Sequence, residues 1–113
     1  MQSEIIDRDK AIEPKEVILI LDGEEDKLRQ MYEILTEVDY DVLLARTMLE
    51  ALESLRLLTV SLIIICGDIY DADSQNIYDL LSDTIRAKGV QSLVMKEALF
   101  TEELINKVKT VLD

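Results

Sequence analysis

Three apolar runs in this chain end in residues that could do chemistry. Asp22-Gly23-Glu24 follows "VILIL", Cys66-Gly67-Asp68 follows "SLIII", and Lys96 follows "VQSLVM". Carboxylates are ligands for oxygen-seeking cations, so Asp22, Glu24 and Asp68, with Asp71 close in sequence, form one candidate cation site. Asp68 stands two positions after Cys66 and so on the same side of an extended chain, and Gly67 permits a bulge that would shift it. A plainer reading makes Asp68, Asp71 and Asp73 solvated loop carboxylates, with Asp73 or Ser74 capping the next helix. The only cysteine, Cys66, would be a redox sensor if positive charge lowered its pKa. Lys96 is the one plausible cation, and the neighbouring carboxylates work the other way, which makes Cys66 a small, half-buried filler. Lys96 itself is either paired with Asp22 or Asp68 or an ordinary surface lysine.

Composition removes whole classes of chemistry. The chain of 113 residues has one cysteine and no histidine. An internal disulfide, a Cys/His zinc cluster and Ser-His-Asp or Cys-His catalysis are therefore excluded. A lone thiol suits a reducing cytoplasm. The net charge of −12 argues against direct contact with nucleic acid, which needs clustered Lys and Arg, and against an anionic membrane surface. It suits basic protein partners or divalent cations. No apolar run, Leu62 to Cys66 included, approaches the roughly 20 residues a membrane span requires. The opening "MQSEIIDRDK" lacks the basic start and apolar block of a signal peptide. No Gly-rich phosphate loop follows any strand, which leaves a nucleotide-binding enzyme without support.

These residues must be positioned by elements whose apolar spacing switches between two patterns. Residues 1–15 are polar, contain the only proline, Pro14, and read as a flexible arm. The domain then runs over 16–113. "VILIL" is a continuous apolar strand, covered on both faces. Leu28, Met31, Leu35 and Val38 recur at helical spacing behind the acidic cluster Glu24-Glu25-Asp26, which complements a helix N-terminus. "YDVLLA" (40–45) is a second strand. Thr47 with Glu50 three residues on predicts a capped helix carrying Leu49, Leu52, Leu55 and Leu58. "SLIIIC" is the third strand. Ile77, Leu80, Leu81 and Ile85 carry a third helix stopped at Gly89. "VQSLVM" (90–95) is the fourth strand, and a last helix carries Leu104, Ile105, Val108 and Leu112. Apolar strands alternating with helices predict an α/β protein, an open parallel sheet with helices on both faces in the flavodoxin-like arrangement. In such sheets ligands gather at the carboxyl ends of the strands.

At this point the chain resembles the CheY-like receiver domain of bacterial response regulators. The likeness runs without a gap from "VILILDGEED" through "DYDVLLARTMLEALESL" to "SLIIIC", about fifty positions. The resemblance implies a two-component signalling module. In that family two acidic residues after the first strand and an aspartate ending the third hold Mg²⁺, and that aspartate accepts a phosphoryl group. A Ser/Thr and a lysine end the fourth and fifth strands.

Carried over residue by residue, Asp22 fills the first acidic position and Gly23 the second, with Glu24 next door. Cys66 stands at the phosphoacceptor position. Lys96 matches the lysine, with Glu97 in place of the proline that usually follows it. A thiol forms no acyl phosphate and is a poor Mg²⁺ ligand. Thirty positions separate Cys66 from Lys96, room for four βα units in total, one fewer than a standard receiver.

The implied function is that of a shortened, non-catalytic pseudo-receiver acting in the cytoplasm through protein–protein contacts, with a second copy of the chain among its candidate partners. It would require no cofactor; Mg²⁺ would bind weakly at Asp22, Glu24 and Asp68 if the acidic pocket were intact. The alternative is a working regulator whose phosphoacceptor has moved to Asp68. The apolar corner "LRLLTV" (55–60) is either a partner surface or core covered by the arm.

Overall fold

Five consecutive aliphatic residues leave no polar face, and in the computed structural model Val17–Leu21 is the first strand, β1. The structure describes residues 15–66, 75–95 and 101–112. After β1 come α1 (Glu25–Glu37), β2 (Asp41–Ala45), α2 (Met48–Leu57), β3 (Leu62–Cys66), α3 (Gln75–Lys88), β4 (Gln91–Met95) and α4 (Thr101–Leu112). The strands form one parallel sheet in the order β2-β1-β3-β4. Four βα units with helices on both faces are what the alternating apolar pattern predicts. Among the described residues no helix is long and apolar enough to cross a membrane. Of the N-terminal arm only Lys15 is described, and its Nζ lies 2.9 Å from Asp39 Oδ1.

Side chains alternate across the sheet and divide the core in two. Ile18 and Ile20 of β1, with Leu62, Ile64 and Cys66 of β3, pack under Leu28, Met31 and Leu35 of α1 and Leu104 and Val108 of α4. On the other face Leu19, Leu21 and Ile63 pack under Ala51, Leu52 and Leu55 of α2 and Leu81 of α3. β1 and β3 are central, so both of their faces are buried and their sequences are wholly apolar. β2 and β4 are edges among the described strands, which explains how β4 tolerates exposed Gln91 and Ser92.

The helix ends follow local rules. Thr47 caps α2 by accepting the Glu50 N–H at 3.1 Å. Glu50 reaches back one residue further than a standard capping box, accepting the Arg46 N–H at 2.7 Å. Thr47→Ala is expected to lose about 1 kcal/mol in a urea titration. At the far end of α2 the Leu55 carbonyl accepts from Lys88 Nζ of α3, which satisfies one of the acceptors a helix end leaves open.

α3 ends as predicted at Gly89, with φ 68° and a Val90 N–H to Ile85 carbonyl bond of 3.0 Å, the Schellman pattern. α1 ends in the same pattern, with Tyr40 N–H on the Leu35 carbonyl at 3.2 Å, but its left-handed residue is Asp39 at φ 75°. A side chain there is strained, and only glycine is free of that cost. Asp39→Gly is expected to raise stability by about 0.5 kcal/mol, since relief of strain outweighs an ion pair with both partners exposed. A melting curve checks the sign.

Three leucines assigned by spacing to inner faces lie outside. Leu80, Leu49 and Leu58 are all exposed. The buried stripes of α2 and α3 are narrower than the sequence spacing implies.

Candidate functional site

The site lies at the carboxyl ends of the two central strands. The β1–β3 register runs to Leu21 opposite Ile65, and the next step sets Asp22 beside Cys66. The Asp22 N–H bonds the Ala45 carbonyl at 3.1 Å, so β1 remains tied to β2 at this point. Asp22 is only 3% exposed and is the one buried charged side chain among the described residues. Its Oδ1 accepts the Glu24 N–H at 2.9 Å and so anchors the entry to α1. Among the described residues its Oδ2 has no hydrogen-bond partner. An unpaired buried carboxylate oxygen costs free energy.

Cys66 is buried, 6% exposed, and its Sγ lies 3.9 Å from Met31 Sδ on α1. Burial, and then the charge of Asp22, push its thiol up to about 12, with Lys27 opposing weakly. That keeps the thiol protonated at neutral pH in the metal-free protein, the opposite of the lowered pKa a redox sensor uses.

The remaining acidic positions contribute little. Glu24 is exposed and ion-pairs Lys27 at 3.5 Å. Gly23 is exposed and has open space where a Cβ would stand, so sterics do not require a glycine there. Asp68, Asp71, Asp73, Ser74, Lys96 and Glu97 lie outside the described residues. The structure thus brings Asp22 and Cys66 together and leaves Glu24 on the surface.

The fit to Mg²⁺ can be judged on the donors. One carboxylate oxygen is available in the pocket, the adjacent thiol is protonated and soft, and no group of three or more His, Cys, Asp or Glu side chains suits a metal among the described residues. These residues alone do not fit Mg²⁺.

Sequence spacing missed Met31 as the neighbour of Cys66. Its place on the inner stripe of α1 was visible, but which strand end it would cover depends on how the helix docks. Two surface hollows lie away from this site, along the edge strand β2. One is lined by Leu28, Tyr32, Leu44 and Glu50, the other by Tyr32, Tyr40, Leu43 and Leu58 among others.

Comparisons with known proteins agree with this architecture. No family model matches the sequence, and no curated protein does. Solved structures match in fold. A CheY-like response regulator receiver domain from Methanospirillum hungatei JF-1 aligns over 88% of this chain and 95% of its own, with 20% identity and a TM-score of 0.67. A two-component response regulator from Clostridium difficile aligns over 87% and 96%, with 20% identity and a TM-score of 0.68. The non-phosphorylated HemR receiver domain from Leptospira biflexa aligns over 88% and 95%, at 15% identity and 0.67. The fold is that of CheY-like receiver domains, and the strand ends carrying Asp22 and Cys66 are the carboxyl edge of that fold.

Proposed function

We propose that this chain is a pseudo-receiver of a bacterial two-component-type pathway, a non-catalytic module that acts by binding another protein. The observation that carries this reading is Cys66. At the end of the third strand, where a receiver needs a nucleophilic carboxylate, stands a buried thiol held in its protonated form. Such a group forms no acyl phosphate and offers Mg²⁺ no hard donor. Signalling then depends on surfaces rather than on phosphorylation at that position.

Exposed apolar side chains support a partner surface. Leu57 is 81% exposed at the end of α2, with Leu58 beside it. Tyr32, Leu44 and Leu49 are exposed around the outer strand β2. Apolar groups clustered on a small acidic domain suit a protein partner, and a second copy of the chain is one candidate. The net charge of −12 disfavours nucleic acid as a direct ligand. The lone reduced thiol suits the cytoplasm.

The test is a titration with beryllofluoride and Mg²⁺ followed by heteronuclear NMR, together with acetyl phosphate treatment and intact-mass analysis. No Mg²⁺-dependent beryllofluoride binding and no added phosphate are expected. A phosphorylated species lost in Asp68→Asn would overturn the reading in favour of a relocated phosphoacceptor.

A further inference from the structure

The carboxyl edge of the sheet carries an unusual donor set for a position where the fold usually collects oxygens. Cys66 Sγ and Met31 Sδ are 3.9 Å apart. Met95 is the register partner of Cys66 on β4, and it packs in the same buried cluster as Cys66 and Met31. Of the four methionines in the chain, two therefore surround its one cysteine. Asp22, beside Cys66 and just past the end of β1, is only 3% exposed, and its Oδ2 has no hydrogen-bond partner among the described residues. Cys66, Met31, Met95 and Asp22 thus lie together at this edge, on β3, α1 and β4 and just past the end of β1.

From this arrangement we infer that the pocket formed by Cys66, Met31, Met95 and Asp22 is a site for a soft monovalent cation, Cu(I). Thiolate and thioether donors select Cu(I), whereas Mg²⁺ demands oxygens. The spacing fits: with metal–sulfur bonds of about 2.3 Å, two sulfurs 3.9 Å apart subtend roughly 115–120° at the metal. That is the angle of a three-coordinate centre, and Asp22 Oδ2 or the Met95 sulfur supplies the third donor. On binding, the Cys66 thiol gives its proton to solvent and the thiolate takes the cation. No electron is transferred, because the metal arrives as Cu(I). Cation, thiolate and carboxylate together carry a single negative charge, and Lys27, whose field reaches Cys66, offsets it. The inference stands apart from the protein-binding role proposed above, which neither requires nor excludes it.

The experiment is an anaerobic Cu(I) titration of the full chain against a chromogenic Cu(I) chelator. Thermal shift with Ag(I), a redox-silent probe of the same ligand preference, runs beside it. The wild-type chain is expected to withdraw Cu(I) from the chelator and to melt higher with Ag(I). Cys66→Ser is expected to lose the competition. The double variant Met31→Leu, Met95→Leu keeps core volume and so keeps the fold; it is expected to bind Cu(I) roughly 10–100-fold more weakly, as is Asp22→Asn. Equal Cu(I) affinity in Cys66→Ser, or in the double leucine variant, would overturn the inference by placing the metal elsewhere. A wild-type chain that ignores Cu(I) and Ag(I) while Mg²⁺ raises its melting temperature would overturn it too, by showing the pocket to be hard.

Discussion

Cys66→Asp is expected to melt more than about 10 °C below the wild-type chain in metal-free buffer, and Mg²⁺ is expected to recover much of that loss. The variant sets a second carboxylate beside Asp22, on the neighbouring strand of a parallel sheet whose strands lie about 4.8 Å apart. Asp22 is already buried, with one oxygen unpartnered among the described residues. Two carboxylates confined there cannot both ionise without penalty, and the cost of a new buried charge beside a like one is on the order of 2–4 kcal/mol. For a domain of this size each kcal/mol moves the midpoint by roughly 4–8 °C. The same change supplies the hard donor the pocket lacks, so a divalent cation should bind the folded variant and stabilise it by mass action, about 2.7 kcal/mol at a hundred times the dissociation constant. Cys66→Asn is the control, since it is polar and uncharged. If the aspartate variant melts with the asparagine variant and neither responds to Mg²⁺, the Asp22–Cys66 adjacency described here is wrong.

The second large effect concerns the thiol itself. Its value is pushed from an ordinary 9.0 up to about 12, by burial first and the Asp22 charge second. At neutral pH the folded, metal-free chain therefore carries about a thousandfold less thiolate than an unfolded one, one factor of ten for each pH unit. Iodoacetamide should label Cys66 correspondingly more slowly in buffer than in urea, a comparison readily made by mass spectrometry. Stability has the matching sign. Below pH 9 both states hold the proton and nothing is lost. Above it the unfolded thiol ionises while the folded one does not, so stability falls by about 1.4 kcal/mol per pH unit until the folded value is reached. Cys66→Ala should remove that part of the alkaline slope. Labelling at equal rates in the two states would show that the thiol is neither buried nor held by Asp22.

Much of this arrangement was legible in the amino-acid order because the central strands leave so little freedom. "VILIL" and "LIIIC" have no polar residue to turn outward, so each had to be covered on both faces. The helix ends were equally local: Thr47 with Glu50, and Gly89, act within a few residues of where they stand. Leu49, Leu58 and Leu80 were misplaced for the opposite reason. Whether an apolar residue on a helix flank is buried depends on what the sheet offers beneath it, and a four-stranded sheet offers less than the leucines suggest. Asp39 was missed as a left-handed helix stop, since aspartate signals a turn only weakly where glycine signals it strongly. The contact of Met31 with Cys66 spans 35 residues, and no local rule encodes which helical turn settles over which strand end.

The outer strand β4 has a consequence for how the protein behaves in bulk solution. Its sequence, Gln91–Met95, contains no charge and no proline, and Val94 is 63% exposed. Such a strand lacks the devices that commonly keep sheet edges from pairing with one another. Long-range repulsion between molecules of net charge −12 acts against such pairing. That repulsion acts over about 10 Å at 0.1 M salt and only about 3 Å at 1 M. Colloidal stability is then an ionic property of the whole surface rather than a local one of the strand. The chain should scatter light as dispersed particles in dilute buffer and associate progressively as salt is raised, the reverse of a protein held together by ion pairs.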